Sequence, residues 1–256
     1  MATRAFAAPA EREARFYLIM ACVMAVTIIA GFTLNLSLGR SSFAVPLLVH
    51  IHAVTMMGWV GLYVLQNTLF FTRNIPLHKR LGWLSMLWLP TILVTGLAMI
   101  RYSLQTHGGP FFFAQNEFLF SNPLLLILTV ALAFAAVAVR RNTGWHRRLM
   151  YCSFALLTGP GVGRLAPNPY LIPWAWWIGS VVPTLLFIGI AAVADKRRTG
   201  HVHPAWIRVG AAILVVQIVA DLVAYSAWGI SFTQAFVAGT PGAERPMEAF
   251  IPPGVL

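Results

Sequence analysis

The chain has 256 residues, 59% of them hydrophobic and only 10% charged, against about 25% charged in a typical soluble domain. This excludes a water-soluble globular protein and indicates a polytopic membrane protein. The formal net charge is +11, which could suggest nucleic acid, so the placement of the cations decides what they are for.

Seven segments are long enough for spans, since about 20 apolar residues cross a hydrocarbon layer of roughly 30 Å. They fall at 16–38, 44–71, 81–101, 123–139, 148–165, 170–194 and 205–229. The first follows a polar stretch of fifteen residues and is too long for a signal h-region, so it is expected to be retained. The fourth is short, and the fifth ends in "TGPGVGR", where Pro160 and its glycines should bend or unwind the helix.

Between these segments Arg4, Arg12, Arg15, Arg73, Lys79, Arg80, Arg140, Arg141, Arg147, Arg148, Lys196, Arg197, Arg198 and Arg208 fall at one set of ends. Only Arg40, Arg101, Arg164 and Arg245 fall at the other. The bias of 14 against 4 places the N-terminus in the cytoplasm and the C-terminus outside, as an odd number of spans requires. The expected class is therefore all-α, with seven transmembrane helices in a bacterial inner membrane. The basic residues answer to topology and anionic lipid, not to nucleic acid.

The expected organisation is a cytoplasmic segment at 1–15, one membrane domain at 16–229 and an extracytoplasmic Pro/Gly-rich tail at 230–256. The outer connection at 103–123, "SLQTHGGPFFFAQNEFLFSNP", reads as an interfacial or re-entrant segment. The tail has too many Pro and Gly for a helix, so a docked tail would hint at a partner subunit of a larger membrane complex. Cys22 and Cys152 both sit inside spans and predict no disulfide and no zinc knuckle.

The one internal repeat is a box, "PLHKRLGW" at 76–83 and "GWHRRLMY" at 144–151. Each precedes a helix entered from the basic side. The pair either anchors two helices at a membrane surface or delivers His78 and His146 to one site. A b-type haem in a bundle needs two neutral imidazoles and positive charge near its propionates; His78 and His146 would be the axial pair, with Arg80 and Arg148 as propionate partners. The alternative is zinc or iron held by His78, His146, His203 and Asp195. A third outcome is no cofactor at all.

Ionisable residues inside spans are costly and are functional candidates by default. His52 and Asp221 are expected at similar depth in the outer half, as partners in a polar layer completed by Gln217 and Tyr225, at i, i+4, i+8 spacing around Asp221. This layer either fixes helix register or serves proton or quinone chemistry.

Residues 44–195, through "LHKRLG" and "HRRLM" followed one helix later by Arg164, resemble a bacterial predicted-membrane-protein family of unknown function. That resemblance implies the fold and those positions, and no activity. A looser likeness is to the two-haem cytochromes b reduced by ascorbate, in which the third and fifth helices share one haem. It implies His78 and His146 as that pair; the span 123–139 contains no histidine for a second haem. Two readings compete with electron transfer. One is a non-catalytic accessory or assembly subunit, docked through the 103–123 loop and the tail. The other is a metal-dependent membrane hydrolase similar to the ceramidase-like enzymes, against which stands the lack of histidine within the last span.

Overall fold

The computed structural model describes residues 8–252; Arg4, the start of the N-terminal segment and the last four residues of the tail lie outside the described residues. The chain is helical, in the order α1 (Ala8–Ser37), α2 (Leu47–Phe71), α3 (Ile75–Gly82), α4 (Leu84–His107), α5 (Gln115–Ala138), α6 (Thr143–Leu156), α7 (Gly159–Leu165), α8 (Val182–Thr199), α9 (Pro204–Ala224) and α10 (Ala227–Val237). A π-helical turn at Trp177–Val181 opens α8, and α3 runs into α4 with an offset at Trp83.

Six helical stretches are long and apolar enough to cross a membrane: Ala10–Ser37, Leu47–Phe71, Ile75–His107, Gln115–Ala138, Trp177–Thr199 and Pro204–Ala224. The seventh segment expected, 148–165, is not among them because it is broken into α6 and α7. Pro160 has no N–H to give to the preceding turn. One residue before the Leu156 carbonyl that Pro160 leaves without a donor, the Ala155 carbonyl accepts from Thr158 N and from the hydroxyls of Thr158 (2.6 Å) and Thr184 (3.3 Å).

α5 packs on α4, α6 and α9, while α1 packs on α2 and α7 and α2 on α4. The core lies around α6, whose residues Arg148, Leu149 and Tyr151 to Leu156 are all buried. A helix buried around its circumference is interior. Tyr63 stacks on Phe154 at 3.9 Å, and Tyr151 meets Tyr17 and Trp206 edge-on. Small and polar groups complete the packing, with the Ser153 hydroxyl donating to the Thr129 carbonyl at 2.8 Å.

The α6–α7 unit runs beside α1 for much of its length. At one end Arg147 pairs with Glu13 at 2.6 Å. At the other the backbones touch: a Cβ on Gly31 would stand 2.1 Å from the Gly161 carbonyl oxygen. Only glycine allows that approach, the small-residue seam through which helices associate in lipid.

The outer connection and the tail differ from expectation. α4 continues to His107 and stops at Gly108, whose φ of +68° only glycine adopts freely. α5 begins at Gln115, so no re-entrant segment spans 103–123. Its first turn, Gln115, Asn116 and Glu117, looks like loop in sequence yet is buried. The tail forms α10 and then folds back on its own chain. Gln115 N donates to the Met247 carbonyl and Phe250 N to that of Phe111, and Arg245 donates to the carbonyls of Gly108, Phe111 and Phe113. A docked tail therefore calls for no partner subunit.

Candidate functional site

Both repeated boxes are built the same way. An asparagine four residues before each histidine caps the helix: the Asn74 side chain accepts from Leu77 N and that of Asn142 from Trp145 N, each at 3.3 Å. His78 N donates to the Asn74 carbonyl and His146 N to that of Asn142. Each imidazole then turns back onto the helix before it, with His78 Nδ1 3.3 Å from the Gln66 carbonyl at the end of α2 and His146 Nδ1 2.8 Å from the Ala136 carbonyl at the end of α5. A carbonyl accepts only from N–H, so in both rings Nδ1 carries the proton that faces the carbonyl, and Nε2 is the nitrogen left free of that bond. The repeat is therefore longer than the box and reads Asn-x3-His-basic-Arg-Leu; the asparagines were the signal missed in sequence.

The structure brings these two rings together, with centroids 6.5 Å apart and planes at 86°. Phe70 flanks His78 at 6.2 Å. The side-chain amide of Gln66, the residue whose carbonyl holds His78, is buried with neither its nitrogen nor its oxygen hydrogen-bonded. A Cβ on Gly82 would lie 3.9 Å from that amide nitrogen. The rim is cationic and aromatic: the Arg140 guanidinium lies over Trp83 at 5.2 Å, and Lys79 and Arg80 are exposed.

Arg148 is elsewhere. Its Nε donates to Asp195 at 2.7 Å and one terminal nitrogen to the Gly144 carbonyl at 2.8 Å, while the other stands 3.8 Å from Glu13. Its three nitrogens are thus committed, which corrects its expected role as a propionate partner. Asp195, 0% exposed, also accepts from Arg198 at 2.6 Å and Trp206 at 2.5 Å. With Glu13 and Arg147 these residues tie α1, α6, α8 and α9 at the end that carries the histidine boxes.

His203 caps α9, its Nδ1 accepting from Ala205 N at 3.2 Å, and packs edge-on to Trp145 at 5.2 Å. Burial, and then the nearby Arg148 charge, lower its pKa from the ordinary histidine value. The alternative metal set His78, His146, His203 and Asp195 is not assembled: Asp195 is enclosed by its three donors, and no cluster of three or more His, Cys, Asp or Glu among the described residues could hold a metal ion.

The outer polar layer forms around different partners. Asp221 accepts from Trp177 Nε1 at 2.9 Å and Gln217 Nε2 at 2.7 Å, and Gln217 reaches Ser121 at 2.9 Å and Trp176 at 2.9 Å. Glu117, which sequence reasoning left in a loop, is 5% exposed and within electrostatic reach of Asp221 and Tyr225. His52 is not the partner of Asp221, because α9 packs on α5, α6 and α8 whereas α2 packs on α1 and α4. The Nδ1 of His52 is buried without a hydrogen bond.

No family model, no curated protein and no solved structure matches this chain.

Proposed function

We propose that the chain is an electron-transfer protein of the bacterial inner membrane that holds a b-type haem between His78 and His146. The carrying observation is the imidazole pair itself, fixed by backbone carbonyls at a centroid separation of 6.5 Å. His78 and His146 would be the residues to hold the haem iron at this end of the bundle. The Gln66 amide, on the residue whose carbonyl holds His78, is a second mark of an unfilled polar site, since buried polar atoms are rarely left unbonded. Residues and group therefore fit, apart from Arg148. Arg140, lying over Trp83, and the exposed Lys79 are the cations left to meet propionates, since Arg80 stands two positions beyond His78 just as Arg148 does beyond His146.

Haem supplies one-electron transfer when bound. The chain's own part is to present two Nε2 atoms, to fix both ring orientations through Nδ1, and to wall the site with Phe70 and Trp83. The topology that goes with this reading has seven crossings, α6 and α7 forming one broken crossing beside α1, with the N-terminus in the cytoplasm. The charge bias and the run of α6–α7 contacts along α1 support it.

The accessory-subunit reading is weakened because the tail docks on its own chain, through Met247, Phe250 and Arg245. The hydrolase reading has no histidine in α9 and, before it, only His201, whose ring bonds the Thr199 carbonyl, and His203, whose Nδ1 is taken up by the α9 cap. The test is the absorption spectrum of the purified full-length protein. A Soret band that shifts on dithionite reduction, is lost in both H78A and H146A and persists in H52A is expected. A colourless protein after expression with ample haem supply would refute the reading.

A further inference from the structure

Arg164 closes α7 at the end of the bundle remote from the histidine boxes. Its guanidinium lies over the Phe32 ring at 4.0 Å, and one terminal nitrogen donates to the Pro160 carbonyl at 2.8 Å. Its Nε is buried with no hydrogen bond. The chain has seven acidic residues, and all are accounted for elsewhere: Glu11, Glu13 and Asp195 at the opposite end, Glu117 and Asp221 between α5 and α9, and Glu244 and Glu248 in the tail. Among the described residues, therefore, no side-chain carboxylate pairs with Arg164.

On α2, which also packs on α1, His52 lies within electrostatic reach of Arg164, and its own Nδ1 is also buried and unbonded. Phe32 lies five residues before the end of α1 and His52 five residues into α2. At 1.5 Å per residue both stand about 8 Å below their helix ends, within reach of a headgroup by snorkelling. An uncompensated cation and an unsatisfied imidazole at this depth are each costly. One ligand that brings negative charge and acceptor oxygens removes both costs. A neutral carbonyl would accept the hydrogen bonds and leave the charge unbalanced.

We propose that Arg164 of α7 and His52 of α2, on two helices that both pack on α1, form a binding site for a phosphate oxyanion, supplied by a phospholipid headgroup or by free phosphate. Phe32 orients the guanidinium, and the Gly31–Gly161 contact brings α7 close enough to α1 for that stacking. The site is independent of the paired imidazoles of α3 and α6.

The test uses full-length protein, delipidated in detergent and titrated with dimyristoyl phosphatidylglycerol by native mass spectrometry. Dimyristoylglycerol, with the same chains and no phosphate, is the control, and inorganic phosphate is titrated in parallel by calorimetry. Wild type is expected to hold one phosphatidylglycerol in preference to the diacylglycerol. R164Q weakens it at least about tenfold, as loss of a charge-assisted contact implies, and H52Q weakens it less. Binding of inorganic phosphate with the same dependence on Arg164 identifies the free oxyanion as the ligand. Equal affinity in wild type and R164Q, or no binding of either probe to wild type, overturns the proposal. Should R164Q fail to fold, R164K and H52Q decide: wild-type affinity in both overturns it too.

Discussion

Asp195→Asn tests the carboxylate cluster most directly. Arg147, Arg148 and Arg198 contribute three positive charges and Glu13 and Asp195 two negative ones, so the native cluster carries one net positive charge. The substitution doubles that excess. It leaves the 4%-exposed Arg148 with only the Gly144 carbonyl and a Glu13 oxygen 3.8 Å away. Removing one partner of a buried ion pair costs about 3–5 kcal/mol. The asparagine oxygen still accepts one bond, from Trp206 or Arg198, so the expected loss is about 3 kcal/mol. The assay is unfolding in mixed micelles with increasing SDS, followed by tryptophan fluorescence, on the wild type, Asp195→Asn, Arg148→Met and the double variant. The double variant should be less destabilised than the sum of the singles by about 1–3 kcal/mol, because the two groups act as one unit. A single-variant cost below about 1 kcal/mol, the range of solvated surface pairs, together with additive behaviour, would refute the buried pairing.

Two further outcomes follow from local geometry. His203 caps α9 through an unprotonated Nδ1, and its pKa is lowered in the fold by burial and then by Arg148. The unfolded chain therefore binds the proton more readily. The cap's contribution is complete above the ordinary value of about 6.5 and is lost as pH falls through the lower folded value. His203→Asn, which keeps an acceptor that does not titrate, should flatten the difference in SDS midpoint between pH 7.5 and pH 5; an unchanged slope would mean that the ring is not titrating at the cap. Gly31→Ala places a methyl where the Gly161 carbonyl stands and should destabilise by about 1–3 kcal/mol, whereas Gly163→Ala, with nothing within 4 Å, should be close to neutral. Equal thermal stability of the two in detergent would argue against the α1–α7 contact.

The long apolar stretches made the helical class and most boundaries legible, because a span must satisfy its backbone within itself. "TGPGVGR" marked the break after α6 for the same reason: proline lacks the donor that the next turn needs. The start of α5 was hidden. Gln115, Asn116 and Glu117 look like solvated loop until α9, α10 and the tail fold over them, and nothing local announces that burial. Depth along a helix could be counted from sequence, which placed His52 and Asp221 at one level. Direction around the axis could not, and the two helices proved not to be neighbours. Arg148 was misassigned for a related reason: two residues beyond His146 is about 200° around a helix, so the two side chains face different partners.

The interruption between α6 and α7 has a mechanical consequence. A continuous helix transmits twist and axial push like a rod, whereas this joint keeps only short backbone bonds, from Leu157 N to the Phe154 carbonyl and from Thr158 N to that of Ala155, and is tied sideways to α8 by the Thr184 hydroxyl. The half carrying His146 is bolted into the arginine–carboxylate network, and the half carrying Arg164 is pressed against α1. The two halves of this crossing are thus anchored to different neighbours, and the joint at Leu157 and Thr158 is where a change in their relative angle would be taken up.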